Sequence, residues 1–73
     1  MKIYRIKLKD YDGYVKAIEI GGEPFFNPLV TFEKTNAAWY DEDKAIKYVE
    51  LLNEQAKEEL WVLEFVKEVK GDK

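Results

Sequence analysis

Residues 60–69 read LWVLEFVKEV, and how they fold decides the architecture. In an extended chain Trp61, Leu63 and Phe65 share one side, and Val62, Glu64 and Val66 share the other. The density of Val and aromatic residues favours a strand. Its start is apolar on both faces, as suits a central place in a sheet. The alternative is one continuous helix from Glu42 to Lys70. The preceding NEQAKEEL (residues 53–60) contains no helix breaker. Val49, Leu52, Ala56, Leu60, Leu63 and Val66 would then fall along one stripe. The abrupt change to β-favouring residues at Leu60 tips the reading towards a strand over 60–69.

Upstream lies AAWYDEDKAIKYVELL (residues 37–52). Asp41 is a good N-cap, because its carboxylate can accept a backbone N–H of the first helical turn. Glu42 and Asp43 then sit at the positive end of the helix dipole. Ala45, Ile46, Val49, Leu52 and Ala56 recur at helical spacing, opposite Lys47, Glu50 and Glu54. A helix over 41–57 is expected.

Further upstream, KIYRIKLK (residues 2–9) alternates, with Tyr4, Ile6 and Leu8 on one side and Arg5, Lys7 and Lys9 on the other. DYDG (residues 10–13) is a hairpin signal, read through a positive φ at Gly13. In YVKAIEI (residues 14–20), strict alternation puts Tyr14, Lys16, Ile18 and Ile20 on one face and Val15, Ala17 and Glu19 on the other. GGEPFFNP (residues 21–28) reads as a loop. LVTFE (residues 29–33) suits a short third strand. KTNAAWY (residues 34–40) fits one helical turn, a short extended segment, or both.

The expected fold is a single small α+β domain over residues 1–73, a small antiparallel sheet in the order β-β-(β)-α-β with one long helix packed on one face. Its parts are a β-hairpin (1–20), a loop with a short strand (21–40), the helix (41–57), the C-terminal strand (60–69) and a tail (70–73).

Composition narrows the chemistry. The 73 residues include no His, Cys or Ser, so the commonest general base and the two commonest nucleophiles are missing. No disulfide or thiolate metal site can form. The reading is not an enzyme, with no catalytic residue and no cofactor. Net charge is −3; residues 1–40 hold six Lys/Arg and five Asp/Glu, and residues 41–73 hold six and ten. The one arginine is Arg5. An acidic C-terminal half disfavours phosphate binding, which needs clustered cations. It also raises DNA mimicry, but the lysines interspersed among its acids fit a solvated face better. No apolar run approaches a membrane span or a signal peptide, so the expected location is the cytoplasm.

Two features carry the binding hypotheses. Phe25 and Phe26 are adjacent aromatics on a loop bracketed by Pro24 and Pro28. They read either as plugs for the sheet edge or as stiffened anchors for another protein. Asp41, Glu42 and Asp43 read chiefly as cap and dipole partners, with an exposed acidic helix end left over for a basic partner. Consecutive residues at a helix start point around its axis and lack the spacing of a calcium loop, so no metal site is expected. Tyr4, Tyr11 and Tyr14 beside Lys2, Lys7 and Lys16 offer a second class, stacking of single-stranded bases.

TFEKTNAAWYDEDKAIKYVELLN (residues 31–53), followed by LWVLEFV (residues 60–66), resembles small phage and prophage proteins of low-GC Gram-positive bacteria. These pair an N-terminal hairpin with a segment A-x-x-Y/F-[DS]-x-[DE]-x-A, a helix and a terminal β-stretch. Ala37, Tyr40, Asp41, Asp43 and Ala45 carry the match, and they are structural residues. EPFFNP stands outside the pattern. The resemblance implies an accessory factor that binds a host protein or defence complex, its sharpest form an inhibitor of a defence nuclease in the host cytoplasm. The partner-binding residues are then Phe25, Phe26, Asp41, Glu42 and Asp43. A nucleic-acid module and a structural homodimer are the alternatives.

Overall fold

The computed structural model describes residues 1–20 and 26–70, with Ile20 described through its backbone alone. Its elements are β1 (Lys2–Leu8), β2 (Tyr14–Ile20), β3 (Phe26–Thr31), a 3-10 turn (Lys34–Asn36), β4 (Tyr40–Asp41), α1 (Glu42–Ala56) and β5 (Trp61–Glu68). The expected α+β architecture holds: an antiparallel sheet with one helix.

LWVLEFVKEV forms a strand, not the end of a long helix. α1 stops because Lys57 adopts the left-handed conformation, φ 62° and ψ 32°. The Lys57 N–H bonds the Glu54 carbonyl and the Glu58 N–H bonds the Asn53 carbonyl, the paired bonds of a Schellman turn. No glycine marks this stop. Its conformational cost is offset by β5 pairing along the length of β1, from Lys2↔Glu68 to Leu8↔Trp61. β1 is the central strand. Among the described residues β5 pairs with β1 alone, which corrects the central place expected of it. Its apolar start is explained by α1, which buries Trp61 from one side.

β1 and β2 share the pair Lys7↔Tyr14 and then diverge. The segment 38–41 fills the wedge between them. The Ala38 N–H bonds the Val15 carbonyl, while Tyr40 and Asp41 pair with Tyr4 and Ile3. KTNAAWY therefore contains both a helical turn and an extended piece. β2 continues into a ribbon with β3.

Three local expectations are corrected. Gly13 has no positive φ. A Cβ there would lie 2.8 Å from Leu8 Cδ1 and 3.1 Å from Val30 Cγ1, so a larger residue would push these side-chain ends aside. The register of β2 against β3 slips between Val15 and Ala17, so Lys16 is an extra, bulged residue. Val15 and Ile18 consequently both reach the helix-side core, where strict alternation would have separated them. Finally, β3 starts at Phe26 rather than residue 29 and ends at Thr31, so residues 26–28 are strand rather than loop. Pro28 is tolerated because β3 is an edge strand. The Phe26 N–H and C=O bond the Gln55 side chain rather than β2. Two residues on, the missing N–H of Pro28 faces the same outer edge.

The core is small: Ile6, Val15, Leu52 and Trp61, with partly buried neighbours that include Leu8, Ile18, Phe26 and Leu63. Tyr40 packs edge-on against Tyr48 at 5.3 Å. Burial pushes the Tyr40 phenol above its ordinary value, and Tyr48 adds to the shift. On the opposite face Arg5 pairs with Glu64 at 3.3 Å, and Lys34 reaches the same carboxylate at 3.6 Å.

Candidate partner-binding surface

The acidic residues at the start of α1 have separate local tasks. The Asp41 carboxylate accepts the Lys44 N–H at 2.9 Å, capping the helix. Glu42 accepts the Tyr4 hydroxyl at 3.3 Å, which ties the helix start to β1. Asp43 is exposed and adds charge at the positive end of the dipole. A surface cavity of about 260 Å³ lies here, lined by Met1, Lys2, Asp41, Glu42 and Asp43. Lys2 partly compensates the carboxylates within it. Among the described residues, no group of three or more His, Cys, Asp or Glu is placed to hold a metal ion. Among them, too, no helix is long and apolar enough to cross a membrane.

Phe26 is half-buried and packs against the core. Its backbone is held by Gln55 at 2.9 and 2.8 Å, at the last turn of α1. Phe25 lies outside the described residues. Phe26 and the acidic trio are not brought together: about 20 Å of helix, at 1.5 Å per residue, separates Glu42 from Gln55.

The aromatic surface sits elsewhere. Phe32 is 76% exposed, Tyr11 is 66% exposed, and Val30 is also exposed. Val30 and Phe32 converge on Gly13, with Phe32 Cε1 at 3.6 Å from where a Cβ would stand. Tyr11 belongs to the same turn between β1 and β2. Phe32 sits within a short turn whose flanking residues bond one another. The Thr31 hydroxyl accepts the Glu33 N–H at 3.1 Å, and the Glu33 carboxylate accepts the Asn36 amide at 2.7 Å. A further exposed aromatic, Trp39, lies under the Lys67 ammonium at 4.6 Å. In sequence Phe32 falls within the expected third strand, with nothing local to single it out as exposed. Its alternation with Phe26 and Val30 was the available signal, but alternation reports a side and not whether anything covers it.

In comparisons with known proteins, no family model, no curated sequence and no solved structure matches this chain.

Proposed function

We propose that this chain is a non-enzymatic binding protein that holds a protein partner through the Phe32 end of the β2–β3 ribbon. The observation that carries the reading is the 76% exposure of Phe32, in a turn closed around it by the bond from the Glu33 N–H to the Thr31 hydroxyl. An exposed aromatic of this size fills a partner pocket well. Asp10, Asp12 and Glu33 flank this patch in the sequence. They suit a partner pocket with a basic rim and oppose a phosphate backbone. The resemblance to phage accessory proteins directs the search to host proteins, defence nucleases first.

The test is affinity capture from a bacterial lysate, with and without nuclease treatment, with wild type and Phe32→Ser side by side. A protein retained by wild type and lost with the variant supports the reading. Equal retention of every partner by both removes it, and retention that depends on nucleic acid favours the base-stacking alternative.

A further inference from the structure

The two outer strands of the sheet are not equally protected. On β3, Gln55 occupies the outward backbone groups of Phe26, and Pro28 supplies no outward N–H, which leaves the Val30 N–H as the one outward donor of that strand without a bond among the described residues. On β5, Asn53 occupies those of Trp61, and the protection stops there. The Lys9 N–H bonds the Leu60 carbonyl, which fixes the phase of the β1–β5 ladder. Leu63 and Phe65 therefore point their backbone groups away from β1, as Trp61 does. Among the described residues nothing bonds to them. The register then slips, Tyr4↔Phe65 being followed by Ile3↔Lys67, so Val66 is the extra residue. The Val69 N–H bonds the Met1 carbonyl, so Glu68 also points outward.

We propose that β5 pairs antiparallel with β5 of a second copy of this chain, about a two-fold axis between Phe65 and Val66. The extra residue makes this register work. Outward-facing Leu63 of one copy meets outward-facing Glu68 of the other, so their backbone groups can bond directly. Glu64 falls opposite Lys67 twice, once on each side of the axis. Both residues lie on the face away from α1, shown by the Arg5–Glu64 pair and by the Ile3↔Lys67 register. A two-fold perpendicular to the sheet keeps that face common to both copies. Opposite charges directly across a strand pair are favourable, and like charges are not. Phe65, 53% exposed beside Tyr4, lies next to the axis on the helix side, where the two copies cover each other's ring. This surface is separate from Phe32, so the two proposals fail independently.

The test is the mass in solution by sedimentation equilibrium. Wild type rises from 8.6 kDa towards twice that value at high micromolar concentration. Lys67→Glu and Glu64→Lys each place two like-charge pairs across the axis and weaken self-association about tenfold or more. An equimolar mixture of the two variants restores opposite charges at both pairs and associates as a heterodimer. Glu64 also holds Arg5, so Glu68→Pro serves as the second variant. It removes an outward N–H without touching a bond to β1, and it gives a folded monomer. A wild type that stays monomeric, or association that survives in both Lys67→Glu and Glu68→Pro, overturns the proposal.

Discussion

Asn53 and Gln55 stand two residues apart on α1 and hold the backbones of opposite edges of the sheet. Asn53 accepts the Leu60 and Trp61 N–H groups at 3.0 and 2.8 Å and donates to the Trp61 carbonyl at 3.0 Å. Gln55 makes the matching pair of bonds to Phe26. Residues two apart on a helix project about 200° from each other, so the sheet curls round the end of α1 and the helix links its two outer strands. Asn53→Ala leaves the two partly buried backbone groups of Trp61 without partners, while the Leu60 N–H keeps the Glu58 carbonyl, and lowers stability by about 2 kcal/mol. Gln55→Ala, at an exposed contact, costs about 1 kcal/mol or less. Urea unfolding of the two variants checks the order.

Lys57 ends the helix in a conformation that L-residues with a Cβ adopt at a cost, φ 62°. Lys57→Gly relieves that cost and keeps both terminal hydrogen bonds. Stability is expected to rise by up to about 1 kcal/mol, part of the gain being lost to the freer unfolded chain. The thermal midpoint moves upward, with an unchanged far-UV spectrum.

The acidic trio separates under substitution. Asp41→Ala removes the cap on Lys44 and lowers stability by about 1 kcal/mol. Asp43→Ala touches no bond and changes it by a few tenths of a kcal/mol through the helix dipole. Paired denaturation curves at low and high salt distinguish them, since the dipole effect is screened.

Tyr40 gives the fold an alkaline limit. Its phenol is raised above the ordinary tyrosine value by burial and then by Tyr48, so the folded state holds this proton more tightly than the unfolded state. The associated stability is fully present below about pH 10, the unfolded value, and is lost as pH rises through the higher folded value. Tyr40→Phe leaves stability near neutral pH almost unchanged and flattens the loss above pH 10. Unfolding free energies measured across that range for both proteins show whether the difference has this sign.

The parts of the fold written in local chemistry were legible. Asp41 before an amphipathic run specifies the start of α1, and the Val and aromatic density after Leu60 specifies β5. What escaped depends on contacts remote in sequence. The bulge at Lys16 puts Val15 and Ile18 on one side because the core beneath Leu52 accepts both. Pro28 belongs to a strand only because that strand is an edge. β5 is an edge because segment 38–41 and β2 occupy the other side of β1. At the candidate site, the cap role of Asp41 follows from its neighbours alone. The exposure of Phe32 does not, because it depends on how the β2–β3 ribbon leaves β1. Of the two readings open for Phe26 in sequence, edge plug or anchor, its packing against the core fits the plug.

The central claim is that Phe32 serves a partner and not the fold. The direct measurement is Phe32→Ser, read twice: equilibrium unfolding in urea, and affinity for the protein that wild type captures. The account predicts stability within about 0.5 kcal/mol of wild type, as for other exposed positions, and affinity reduced at least about tenfold, as for an anchoring aromatic. A fall in stability of about 2 kcal/mol, or an affinity that does not change, would contradict it.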